Sequence, residues 1–346
     1  MEDLKQATDH LQPLNLPAQM GIYFQDRPGR VGVEDTPDAP IIRAERRRLR
    51  NWLSTNIPIQ WGKKVNTIEH NDEGVSVTFE DGSTAKGDIL VGADGINSIV
   101  RQHLLQKPAK DLLKLVPLAA IVGEVALEGD AFKRQLELGH SAYVYMSPTL
   151  GFANFNGLHE VNPDGVSAKY YWMLMQPDAS VEDSEHWLQK ATQQEKLDHV
   201  LKLASKLPAR FRELFELTPA SGIKTETHIW RDLELESLPA GRVVLLGDSA
   251  HAMTPFRGEG GYHSFIDAMK LSEKLVGLDS KDIDAINAAV AEYNSEMLER
   301  GAEAVRNSRN ENSDKRTRDT KTKLTTANQL VRPLPEVEID LKAVRS

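Results

Sequence analysis

The stretch that most constrains this chain is VVLLGDSAHAMTPFRGEGGYHSFIDAMKL, Val243 to Leu271: an apolar run, a Gly-Asp break, a loop with three glycines and a helical pattern. A strand of this kind belongs in an open α/β sheet, where ligands collect beyond the carboxyl ends of the strands. Asp248, at that end, is placed to accept hydrogen bonds from sugar hydroxyls. Pro255 stiffens the loop, and Gly258, Gly260 and Gly261 remove side chains so that backbone can approach a flat or anionic ligand. The spacing of Tyr262, Phe265, Ile266 and Met269 predicts the inward face of the following helix, whose positive end points back at the loop. Glycines also serve ordinary tight turns, so these residues alone leave a ligand site and a structural turn both open.

A second segment, ILVGADGINSIVR (Ile89 to Arg101), repeats the theme of strand, Asp-Gly and small polar residue. It follows GVSVTFEDGSTAKG, where Val75, Val77 and Phe79 alternate with polar residues before a turn at Asp81-Gly82, predicting a hairpin. Upstream, IIRAERRRLRNWL (Ile41 to Leu53) predicts a helix with Leu49, Trp52 and Leu53 on one side. From Leu112 to Met175 strand-like runs dominate, then a polar helical region from Val181 to Leu217. Ile283, Ile286, Val290, Tyr293 and Met297 mark a long amphipathic helix near the end.

A length of 346 residues favours two domains. The expected layout is one domain made from residues 1–106 and 232–310, a sheet-rich insertion at 107–231, and a linker-like tail at 311–346. With no cysteine, disulfides, a thiolate nucleophile and Cys-ligated metal are excluded, and no metal site is expected. A net charge of −9 argues against nucleic-acid binding, and the basic run DKRTRDTKTK reads as a solvated tail. No apolar run reaches membrane-spanning length, so a cytoplasmic protein with a small-molecule substrate is expected, its oligomeric state open.

Together the two segments resemble the paired signatures of flavoprotein monooxygenases of the para-hydroxybenzoate hydroxylase and salicylate hydroxylase type. Gly92, Ala93, Asp94, Gly95, Ser98 and Arg101 match the family's Asp-Gly motif; Gly247, Asp248, Ser249, Ala250, His251, Pro255, Gly258, Gly260, Asp267 and Ala268 match its Gly-Asp motif. The resemblance implies an α/β fold, α+β overall: a three-layer FAD-binding domain built from both chain ends, with an inserted antiparallel-sheet substrate domain. It implies FAD as cofactor and NADPH or NADH as co-substrate. By position, Asp248 would meet the ribityl and phosphate region, Pro255 with Gly258, Gly260 and Gly261 the isoalloxazine, and Asp94 and Gly95 the pyrophosphate. Arg46, beside Leu49 and Leu53 on the helical wheel, would touch the flavin; Arg43, Arg47 and Arg48 are read as a solvated face and Arg50 is left open.

Two departures accompany these matches. The family's opening strand and G-x-G-x-x-G do not occur in these residues, so the first βαβ unit is expected to be missing and flavin to be held weakly by this chain alone. Position 262 is tyrosine where the family usually has asparagine. The implied chemistry is hydroxylation of a small aromatic or polyketide-like substrate by cofactor and dioxygen, with no catalytic side chain assigned. Tyr143, Tyr145, Phe152, Phe155 and Trp172 could meet substrate, or be core. Two alternatives stand beside this reading: a non-catalytic remnant of such an enzyme, and a serine hydrolase using Ser249, whose Asp-x-x-His partner could only be Asp183 and His186.

Overall fold

The computed structural model describes residues 2–309, 325–326 and 329–345. Its described residues fall into two compact units: Met1–Pro58 with Pro117–Ile229 and Lys323–Ser346, and Ile59–Val116 with Trp230–Thr322.

The first unit is a seven-stranded sheet in the order Arg332–Leu334, Arg27–Glu34, Gln19–Phe24, Ala142–Met146, Ala153–Val161, Ser167–Pro177, Leu118–Glu128. Neighbours are antiparallel except Gln19–Phe24 and Ala142–Met146, which are parallel. Period-2 alternation decides the faces. On Ser167–Pro177, Tyr170, Trp172 and Leu174 are buried while Lys169 and Tyr171 are not. Trp172 meets Phe215 of the helix Ala209–Glu216 edge-on at 4.9 Å and donates its indole N–H to Thr218 at 2.8 Å. Across the ladder Gly123 faces Trp172, where a Cβ would stand 2.3 Å from the indole; only a glycine lets the ring lie flat there.

This unit corrects the expected layout at both ends of the chain. Residues 1–58, expected with the FAD-binding part, join the sheet, because Gln19–Phe24 is an interior strand with Ile22 and Tyr23 buried. The expected linker-like tail is docked over its last described residues. Arg332–Leu334 extends the sheet, Ile339 is buried, and buried Arg30 donates to the carbonyl of Pro335 at 2.6 Å. The basic run from Asp314 lies outside the described residues.

In the second unit Val243–Leu245 pairs in parallel with Leu90–Gly92, and Val65–Asn71, Gly74–Phe79 and Thr84–Gly87 form an antiparallel sheet. The core gathers Ile68, Val75, Val77, Val100, Val244 and Leu245 with Ile286, Val290, Tyr293 and Met297 of the helix Ile283–Ser308. One face is corrected. Tyr262, Phe265 and Met269 of the helix Gly260–Leu275, expected inside, are 48%, 47% and 59% exposed, and the buried residues are His263, Asp267 and Leu271. Periodicity identifies two candidate faces; a polar cluster described below selects the other one.

The aromatic candidates divide between core and surface accordingly. Trp172→Ala is expected to lower unfolding stability by about 3–5 kcal/mol, and Phe155→Ala, on the half-exposed face, by a small fraction of that. Urea denaturation of the two variants checks the division; equal losses contradict it.

Candidate active site

The candidate site in the second unit is built where its two parallel strands end. Leu90–Gly92 runs into Asp94-Gly95, and Val243–Leu245 into Gly247-Asp248. Gly92 permits the close approach: a Cβ there would lie 2.7 Å from Val100 and 2.9 Å from Leu245. Gly247 has φ 62° and ψ −141°, a conformation glycine adopts without strain. That turn leaves Asp248 exposed as the first residue of the short helix Asp248–His251.

Two buried side chains tie the loops together. The Ser249 hydroxyl lies 2.6 Å from the carbonyl oxygen of Gly92 and 2.7 Å from that of Leu246. Arg101, fully buried, donates to the carbonyl of Ser249 at 2.9 Å and to that of Ile96. The two sequence motifs are therefore halves of one hydrogen-bonded unit. Asp94 has a different task from Asp248. Its carboxylate accepts from the Ser98 hydroxyl and from the backbone N–H groups of Ile99 at 2.8 Å and Val100 at 3.2 Å, capping the helix Ile99–Leu105.

Beyond Asp248 the backbone is open. Gly258 and Gly95 take φ of 68° and 77°, and at Gly258, Gly261 and Gly95 an added Cβ would meet nothing within 4 Å. At Gly260 only Met253 comes near, at 3.8 Å. Pro255 opens a single turn, Pro255–Arg257, with Phe256 edge-on to Trp230 at 5.2 Å. Arg257 grips buried Glu259 through two bonds of 2.8 Å, fixing the loop ahead of the helix Gly260–Leu275.

Under the loop lies the polar cluster that turned this helix. Asp267 accepts from Gly247 N–H at 2.7 Å and His251 Nε2 at 2.7 Å, and its other oxygen from Arg300 at 2.7 Å. Arg300 also bonds Glu296 at 3.0 Å and His263 Nδ1 at 3.0 Å. Burial opposes the Asp267 charge, but the bonds from His251, Arg300 and Gly247 hold its carboxyl below the usual range. Burial, then the Arg300 charge, lowers His263 and keeps it neutral. Gly301 admits His251, whose ring would lie 2.8 Å from a Cβ there. Sequence reasoning matched His251 and Asp267 to a motif without giving them work, and missed Arg300, Glu296 and His263. The one available signal was the i,i+4 spacing of Glu296 and Arg300 within the helix Ile283–Ser308.

Arg46 belongs to the first unit. It is exposed and makes no ion pair among the described residues. The helix is shorter than predicted, Arg46–Leu53, because extended Glu45 caps it by accepting from the N–H groups of Arg47 and Arg48. Arg47 and Arg48 turn to Glu160 at 3.9 and 3.3 Å. Arg43 is not simply solvated: it donates to the Tyr171 hydroxyl at 2.7 Å and lies 5.6 Å from the Phe155 ring. Among the aromatic candidates Tyr143, Phe152 and Trp172 are buried, Tyr145 packs on Phe211 at 4.7 Å, and Phe155 lies beside Tyr171 at 5.8 Å. Ser249 is unsuited to nucleophilic attack, being fully buried with its hydroxyl engaged. Its proposed partners are occupied within the first unit, His186 with Asp178 at 2.9 Å and Asp183 with the Glu185 N–H at 2.9 Å.

Residues 33–308, which include both strand ends and the glycine loop, match the model of the FAD binding domain. The chain belongs to that family, and within it to the FAD-dependent monooxygenases. It is 60% identical over 313 residues to FAD-dependent monooxygenase thnD of Trichoderma harzianum, covering 89% of this chain and 77% of that one. It is 29% identical over 275 residues to FAD-dependent monooxygenase cctM of Talaromyces islandicus, covering 76% and 65%. In fold it is similar to 2,6-dihydroxypyridine-3-hydroxylase from Arthrobacter nicotinovorans (TM-score 0.68, 16% identity, 98% of this chain and 86% of that one). It is likewise similar to Klebsiella pneumoniae HpxO complexed with FAD and uric acid (TM-score 0.64, 21% identity, 89% and 73%). FAD is the cofactor of this class. Among the described residues no helix is long and apolar enough to cross a membrane.

Breaking the cluster under the loop should be costly, since removing one member strands a buried charge. Asp267→Asn is expected to lower unfolding stability by about 3–5 kcal/mol at neutral pH. Because the folded carboxyl titrates below its unfolded value of about 4, its contribution is present above that pH and lost as pH falls. Denaturant titrations across the acid range should therefore show a shallower acid limb in Asp267→Asn; an unchanged limb contradicts the assignment.

Proposed function

We propose that this chain is a cytoplasmic flavoprotein hydroxylase that uses NADPH or NADH and dioxygen to oxygenate a small aromatic or polyketide-like molecule. The observation that carries this is the locked pair of strand ends carrying an exposed carboxylate and an open glycine backbone. The residues fit FAD at its ribityl and ring end. Asp248 would accept ribityl hydroxyl bonds, and Pro255, Gly258, Gly260 and Gly261 would line the isoalloxazine, the loop being free of Cβ atoms where a flat ring must lie close. Backbone N–H groups at the start of the helix Gly260–Leu275 would stabilise negative charge developing on the bound ring system. Gly95 would serve the pyrophosphate with its backbone. Asp94, whose oxygens are taken by the cap, would act by holding that turn. Arg46 would contribute a further contact to the flavin. When bound, FAD supplies the redox chemistry by which one oxygen atom of O2 enters the substrate C–H bond and the other leaves as water, with NAD(P)H giving the two electrons.

Support for an aromatic or polyketide-like substrate comes from the neighbours, one named as a dihydroxypyridine hydroxylase and another holding uric acid. The absence of cysteine agrees with a reducing compartment.

The deciding test compares two adjacent variants in a chain extended by a βαβ unit carrying the G-x-G-x-x-G fingerprint. Asp248→Ala should weaken FAD binding by losing hydrogen bonds to a charged acceptor worth roughly 1.5–3 kcal/mol, one to two decades. Ser249→Ala should cost about 1 kcal/mol of stability and leave flavin content and NAD(P)H oxidation nearly intact. A Ser249→Ala protein with full flavin and no turnover would overturn the proposal.

A further inference from the structure

We propose that His70 and His103 form a binding site for a divalent transition-metal ion on the surface of the second unit. His70 lies in the strand Val65–Asn71 and His103 in the helix Ile99–Leu105, thirty-three positions apart in the chain. Their rings meet nearly perpendicular, with Nδ1 of His70 and Nε2 of His103 3.0 Å apart. That separation is the bite of a chelate. With metal–nitrogen bonds of about 2.0–2.1 Å, two nitrogens subtending about 90° at one ion stand about 2.9 Å apart, and at a tetrahedral angle about 3.4 Å. The distance suits a shared ion, which the two rings would reach by turning their facing nitrogens from each other toward it.

Both rings are carried by well-held elements. His70 pairs in register with Val75 of the neighbouring strand. The helix bearing His103 is capped by Ser98 and Asp94, with Val100 and Arg101 buried beneath it. In the metal-free pair one ring nitrogen donates and the other accepts. To bind an ion both must be bare, so the donor ring moves its hydrogen to its other nitrogen, and neither of those other nitrogens is hydrogen-bonded among the described residues. No third His, Cys, Asp or Glu joins the pair among the described residues, so water would fill the remaining positions. Two imidazoles and water suit zinc, nickel or copper and offer nothing to magnesium or calcium. An ion held there would pin the helix Ile99–Leu105, which Asp94 helps to cap, to the antiparallel sheet.

The test uses the untagged, flavin-free chain, and so does not depend on the flavin proposal. Isothermal titration with zinc chloride should give one ion per chain, and magnesium chloride no binding. His70→Gln and His103→Gln should each weaken zinc binding by about tenfold or more, while His159→Gln, a half-exposed histidine of the other unit, should not. Circular dichroism establishes that the variants are folded. Zinc should also slow amide exchange in residues 65–71 and 99–105 of the parent chain and not of either variant. Equal zinc affinity in parent and both variants, or no zinc binding by the parent, overturns the proposal.

Discussion

The site depends on a buried arginine that, among the described residues, has no carboxylate bonded to it. Arg101 is fully enclosed, and its guanidinium donates to backbone carbonyls, those of Ser249 and Ile96. Burying a cation costs several kcal/mol unless hydrogen bonds compensate, and burial does lower the Arg101 pKa, with the Asp94 charge opposing that shift. What the chain gains is geometry. A planar fork can hold two carbonyls from separate segments in one orientation, which a lysine ammonium cannot. The turns that end the two parallel strands are thereby fixed against each other before any ligand arrives.

Asp94 spends its carboxylate on the helix below, Ser249 spends its hydroxyl on Gly92 and Leu246, and Gly247 hands its N–H to Asp267. These three groups are thus engaged within the second unit. Asp248 is exposed, and a Cβ added at Gly95, Gly258 or Gly261 would meet nothing within 4 Å.

The site was legible in the sequence where chemistry demands particular residue types: glycines at positive φ, an acid at a strand end, an arginine at a fixed distance from Asp-Gly. It was not legible where a long-range partner decides. The pattern of Tyr262, Phe265, Ile266 and Met269 looks like a core stripe, yet Asp267 and His263 bury the opposite face because His251 and Arg300 wait there. The hairpin Gln19–Phe24 with Arg27–Glu34 escaped notice because its strands carry Gly21 and Gly32 where apolar alternation would be sought. Those glycines exist because backbone crosses within contact distance, 2.3 Å from a Cβ at Gly21 to the Leu138 oxygen. The helix start at Arg46 was set by the Glu45 carboxylate, a capping residue hidden in a run of arginines.

The central claim is that the two motifs form one mechanical unit through Arg101. Amide hydrogen exchange, followed by mass spectrometry in Arg101→Gln, tests it most directly. Exchange should be faster in both turns, residues 93–101 and 246–252, with the strand Ser167–Pro177 of the other unit unchanged. Acceleration confined to residues 93–101, with 246–252 as protected as in the parent chain, would contradict it.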